Sequence, residues 1–146
     1  MLESFEFVAI LSCALFSGAA LYINVAEHPA RMQCGTELAT TVFGPSYHRA
    51  AAMQAPLALV AAVSALGAWW FNPSMLWITG AALIFAVVPF TLIVIFPTNK
   101  RLLKAGIDRR SPETHMLLVR WARLHPVRTV ASLSATIFFL VAVLSK

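Results

Sequence analysis

The residues best equipped for chemistry fall in four short segments. Asn24, Glu27, His28 and Arg31 stand within Asn24-Val25-Ala26-Glu27-His28-Pro29-Ala30-Arg31. Tyr47-His48-Arg49 is followed by Gln54, Pro97-Thr98-Asn99 comes later, and Trp121, His125 and Arg128 complete the set. The spacing puts Asn24, Glu27, His28 and Arg31 on one helical face, and likewise Trp121, His125 and Arg128. An imidazole titrates near neutral pH and can move a proton. Two histidines with a carboxylate can also hold a metal, and Glu27, His28, His48 and His125 are the candidates. No His-x-x-His or Glu-x-x-His spacing supports that use. His28-Pro29-Ala30-Arg31 and His125-Pro126-Val127-Arg128 repeat the pattern His-Pro-x-Arg. Each proline disfavours helical geometry at the histidine before it, which predicts a break in both segments.

Plainer roles compete for the same residues. Arg31, Arg49 and the loop cations serve as topology signals, and Trp121 and Tyr47 suit an aromatic belt at a membrane interface. His48 and His115 read as solvated, and Glu27 with Arg31 or Arg128 makes a structural ion pair. Asn24, Glu27 and Gln54 resist such readings, because polar groups near hydrocarbon are costly unless paired or used.

The elements that must position these groups are membrane spans. Of the 146 residues, 60% are hydrophobic and 12% charged, and the mean hydropathy is +0.78. A soluble domain carries about a quarter charged residues, so most of this surface faces lipid. The length allows a single domain, 1–146. Four stretches approach the roughly 20 apolar residues that a helix needs to cross the bilayer: about 5–26, 50–71, 75–96 and 126–144, with Asn72-Pro73-Ser74 as a tight turn. The expected fold is an all-α integral membrane four-helix bundle. The start of the chain is acidic, at Glu3 and Glu6, unlike a secretory signal, so the first span reads as retained. Cys13 and Cys34 make neither a disulfide framework nor a metal spacing.

Cations set the expected orientation. Arg31, Arg49, Lys100, Arg101, Lys104, Arg109, Arg110, Arg120, Arg123 and Arg128 fall in or beside loops 27–49 and 97–125; Lys146 stands on the other side. The positive-inside rule makes those loops cytoplasmic and both termini external, in the cell's inner membrane. The net charge of +5 then needs no nucleic acid to explain it. Ser111-Pro112-Glu113 reads as a helix start, and His115 to Leu124 as a short interfacial helix before the fourth span. Small residues at Ala51, Ala55, Ala58, Ala62 and Ala65 form one stripe; Ala9, Cys13 and Ser17, with Ala14 and Gly18, form its counterpart on the first span. Such stripes permit close helix contact within the chain or between copies of it. Pro89 removes a donor from the third span and predicts a kink.

With these motifs in place, the sequence resembles the anthrone-oxygenase-like group of small four-span membrane proteins. The resemblance rests on Gly18 to Tyr22, Glu27-His28-Pro29-Ala30-Arg31, Tyr47-His48-Arg49-Ala50 with Gln54, Pro89-Phe90-Thr91, Pro97-Thr98-Asn99, and Trp121, His125 and Arg128. It runs over nearly the whole chain. It implies oxidation of a lipophilic phenolic or quinone-like substrate by molecular oxygen, without a bound metal or flavin. In that chemistry His125 or His28 would be the base. Arg128, Arg31 or Asn99 would hold a phenolate. Trp121 and Tyr47 would stack on the flat substrate, and Asn24, Glu27 and Gln54 would complete its surroundings. Two alternatives stay open: a non-catalytic bundle that binds lipid or quinone, and a metal-dependent oxidoreductase using His28, His125 and Glu27. The expected partners are membrane lipid and a lipophilic small molecule, with self-association open.

Overall fold

The computed structural model describes residues 1–145; Lys146 lies outside them. Helix α1 (Leu2–Tyr22) widens into a π-turn, Ile23–Glu27, and continues as α2 (His28–Gln33). A reversal at Cys34–Gly35 leads into α3 (Thr36–Phe71). After the Asn72–Ser74 turn, α4 (Met75–Phe90) passes through a second π-turn, Thr91–Ile95, into α5 (Phe96–Leu102). Residues 103–111 lead to α6 (Pro112–Leu144). These form four rods, each long and apolar enough to cross a membrane, packed as the expected bundle.

The rods exceed the anticipated spans. At 1.5 Å per residue, the 36 residues of α3 extend about 54 Å, against about 30 Å of hydrocarbon. Because α3 and α4 are joined by a tight turn, the excess length projects at the opposite end, where the polar segments lie. Most of the anticipated loop residues 27–49 and 97–125 are therefore helical. The separate interfacial helix is not found: His115 to Leu124 belongs to α6, which runs unbroken through Pro126. Its start is as anticipated, with Ser111 Oγ accepting from the Thr114 amide at 3.1 Å.

The prolines explain the widened turns. Pro29 and Pro97 each stand two residues beyond a π-turn. The π-turns close with the bonds His28 N–H to the Ile23 carbonyl and Phe96 N–H to the Thr91 carbonyl. A proline ring crowds the carbonyl four residues back, here Val25 and Ile93, which both lie inside the widened turns. The anticipated break at His28 is thus absorbed, and this residue keeps helical angles, φ −66° and ψ −46°.

Two apolar clusters hold the rods together. The larger joins Ala9, Cys13 and Phe16 of α1 to Ala58, Ala61, Ala62 and Ala65 of α3, Trp77 and Ile84 of α4, and Phe139 of α6. The smaller caps the projecting end around Phe43, Ile95, Leu118 and Trp121. Ala9, Cys13 and Ser17 are buried as the stripe argument requires, whereas Ala14 and Gly18 face outward. Ala55 is exposed and Ala51 half-buried, so the lower alanine stripe packs while its upper end borders a cavity. A polar seam also links α1 to α6: Ser17 Oγ lies 3.1 Å from Thr136 Oγ1, which donates to Cys13 Sγ at 3.2 Å. Hydrogen bonds of this kind hold helices together in lipid, where apolar contact has little driving force.

Candidate active site

Between the two clusters lies a polar layer opening into a cavity of about 170 Å³, about 820 Å³ when its open mouth is included. Its walls are mainly apolar and aromatic, from Phe16, Ile23, Phe43, Ala58, Val87 and Val88. Its polar lining comes from Glu27, Arg31, Ser46, Tyr47, Gln54, Thr91, Trp121, His125 and Arg128. The mouth lies between α3 and the second π-turn, where exposed Ala55 and Leu92 border the cavity.

His125 is the best-defined group. It is 1% exposed, and its Nδ1 lies 2.8 Å from Asn24 Oδ1. Asn24 Nδ2 donates to Thr129 Oγ1 at 2.5 Å, which fixes the oxygen of the carboxamide toward the imidazole. An amide oxygen only accepts, so His125 Nδ1 carries a proton and Nε2 holds a lone pair. Arg128 Nη1 stands 3.4 Å from that Nε2. Arg128 Nη2 donates to Gln54 Oε1 at 2.6 Å, and its guanidinium lies 5.3 Å over the Phe16 ring. Trp121, His125 and Arg128 thus share one face of α6, as their spacing indicated.

The second histidine is differently occupied. His28 Nδ1 accepts from Arg31 Nε at 3.1 Å, and its ring packs 5.0 Å from Trp121. Trp121 also packs 4.5 Å from His125, so one indole touches both imidazoles. His28 does not line the cavity; His125 does. Arg31 lies over both Phe43 and Trp121, at 5.5 and 5.3 Å. Glu27 pairs with Arg31 at 3.5 Å and accepts from Ser46 Oγ at 2.5 Å. Of the two pairings anticipated for Glu27, the structure forms the one with Arg31, one turn along the same rod.

Several buried donors find no acceptor among the described residues: Gln54 Nε2, Arg128 Nε and Trp121 Nε1 on residues that line the cavity, and Trp77 Nε1 and His28 Nε2 on residues that do not. Unpaired buried donors are rare in folded proteins and call for a physical reason. Asn99 is 1% exposed but lies outside the lining, and Tyr47 is half-buried with its ring stacked on Phe43 at 6.0 Å. His48, Arg49 and His115 are exposed. Among the described residues no three His, Cys, Asp or Glu side chains come together as a metal site. Spacing alone did not reveal Phe16, Phe43, Ser46 or Thr129. Thr129 stands one turn after His125, the only hint that it shares that face.

Comparison with known proteins now bears on this arrangement. The family model described as anthrone oxygenase matches residues 43–138, about two thirds of the sequence. The chain belongs to the anthrone oxygenase family. The family match takes in Tyr47, Gln54, Asn99, Trp121, His125 and Arg128 and begins beyond Asn24–Arg31. A curated relative, the anthrone oxygenase of Claviceps purpurea (strain 20.1), is 25% identical over 144 residues, covering 89% of this chain and 83% of its own. That alignment is long enough to draw on all four rods. No solved structure matches.

Proposed function

We propose that this member of the anthrone oxygenase family oxidises a lipophilic polycyclic phenol or phenolic ketone with molecular oxygen, inside a membrane. The observation that carries the reading is the 2.8 Å contact of His125 Nδ1 with Asn24 Oδ1, which leaves Nε2 as the basic nitrogen, beside Arg128 at the wall of an apolar cavity. A carbon–hydrogen bond flanked by aromatic rings is acidic when the resulting anion spreads onto a ring oxygen. Nε2 takes that proton as general base. Arg128, at the cavity wall beside Gln54, holds the oxyanion that develops. The electron-rich anion passes one electron to oxygen, the two radicals join at the same carbon as a peroxide anion, and the proton held at His125 Nε2 returns to it to give a hydroperoxide. Loss of water leaves a carbonyl. The ring CH2 has become C=O, one oxygen atom stays in the product and the other departs as water, so the substrate supplies the electrons and no resident cofactor is invoked. Trp121 and the Phe43–Tyr47 pair offer flat walls for the ring system. His28, Arg31 and Glu27 brace Trp121. The lateral mouth fits a substrate dissolved in lipid, and the cation-rich end faces the cytoplasm.

The test is oxygen uptake by the purified protein in lipid nanodiscs supplied with an anthrone, with quinone formation followed by absorbance. One oxygen consumed per quinone, lost in His125→Ala with the fold retained, supports the reading. Wild-type protein that binds the anthrone without faster oxidation would instead describe a non-catalytic quinone- or lipid-binding bundle.

A further inference from the structure

A second concavity, of about 560 Å³, lies on the outside of the bundle between the end of α5 and the first turns of α6. Arg101, Glu113, His115, Met116, Arg120 and Arg123 line its rim, over a floor that includes buried Leu117. Arg101 and Glu113 pair with each other. Arg120 and Arg123 are exposed and form no ion pair or hydrogen bond among the described residues. Side chains three residues apart on a helix are neighbours, and like charges placed so repel. The only carboxylate on the rim is already occupied by Arg101.

The stripe to which these arginines belong is informative along its whole length. Met116, Arg120, Arg123, Val127, Val130, Ser134 and Ile137 are spaced four, three, four, three, four and three, one line down α6. Val127, Val130 and Ile137 are 48%, 63% and 60% exposed, so no other helix covers this line. Counted from Leu144 at 1.5 Å per residue, Arg123 and Arg120 stand about 32 and 36 Å along the helix. A hydrocarbon core is about 30 Å thick, so the two guanidiniums sit at headgroup depth and the valines below them at acyl-chain depth. Guanidinium forks match phosphate oxygens two at a time, where lysine would offer only a point charge.

We infer that this face of α6 is a seat for one anionic phospholipid. Its phosphate is held between Arg120 and Arg123, with the Arg101–Glu113 pair as the far wall, and its acyl chains lie along Val127, Val130 and Ile137. Cationic pockets at this level of a membrane protein recognise anionic headgroups, each cation contributing about 1 kcal/mol, which is roughly fivefold in affinity. The site lies outside the reaction cavity and stands independently of the oxygenase reading.

Competition for the seat can be measured with spin-labelled phosphatidylglycerol and phosphatidylcholine around the protein in vesicles, together with native mass spectrometry of retained lipid. The expected result is preferential retention of phosphatidylglycerol, reduced roughly twenty-five-fold in Arg120→Gln/Arg123→Gln. Lys100→Gln/Lys104→Gln removes the same charge from exposed positions off the rim and leaves the preference intact. Equal loss in both double variants would reduce the effect to net charge and overturn the proposal. Displacement of the lipid by an equal concentration of inorganic phosphate would overturn its lipid component.

Discussion

At the residue scale, the contact that matters most is between Asn24 and His125, from rods far apart in sequence. A neutral imidazole can present either nitrogen to a substrate, and the carboxamide oxygen at 2.8 Å selects Nε2. On the proposed reading Asn24, expected among the substrate's surroundings, acts by positioning His125. Asn24→Ala is expected to lower kcat about ten- to a hundredfold, the usual cost of losing an orienting partner, with KM little changed. Asn24→Asp keeps an acceptor for Nδ1 and should retain more activity. Oxygen-uptake kinetics decide the matter: an alanine variant as fast as wild type would mean that the tautomer is set elsewhere. His125→Ala should cost about a hundred- to ten-thousandfold, the contribution typical of a general base. Gln54→Leu keeps the volume but removes the acceptor for Arg128 and an unpaired donor. Its expected signature is a fall in kcat/KM, measured on the same substrate.

At the scale of elements, close packing can be tested at three glycines. A Cβ on Gly80 would overlap the ring of Phe139, which is fully buried and stacked on Trp77 at 5.3 Å. Overpacking of this kind costs about 1–3 kcal/mol, so Gly80→Ala should lower the thermal midpoint in detergent. Gly67→Ala meets Phe5, a ring near the start of α1 that is half-buried where Phe139 is fully buried, and should cost less. Gly18→Ala has open space and should be neutral. The Gly18 comparison also shows how far the sequence could be read. Span number, the turn at Asn72, the Ser111 cap and the shared face of Trp121, His125 and Arg128 followed from local pattern, because an unbroken helix carries its period forward. Two equally small-residue lines on α1 could not be ranked, since only the partner helix chooses between Ala9-Cys13-Ser17 and Ala14-Gly18. Pro29 and Pro126 looked like helix ends, yet one is accommodated by a π-turn and the other lies within α6. Composition gives no measure of either accommodation. The pairing of Asn24 with His125 was equally hidden, because it depends on how two distant rods meet.

At the scale of the molecule, the two histidines, Arg31, Arg128 and the cavity are enclosed between a membrane-depth core and a smaller cap at one end. Orientation then decides which compartment the cap faces, and the chain carries its own reporter. Cys34 is exposed at the reversal between α2 and α3, whereas Cys13 is buried. With the cation-rich end cytoplasmic, a membrane-impermeant maleimide should leave Cys34 unmodified in intact cells and label it in inverted vesicles, read by mass shift. Labelling from outside would invert the proposed topology.

Each π-turn holds one residue more than the α-helix around it requires. Removing that surplus residue, Val25 for example, would let the stretch close into ordinary α-helix while the residues after it keep their direction. His28 and Arg31 would stay beside Trp121, but the ring of Pro29 would then crowd a carbonyl that no widened turn moves aside. One residue removed from an uninterrupted stretch of the same rod would instead turn the rest by about 100° and take His28 and Arg31 off Trp121.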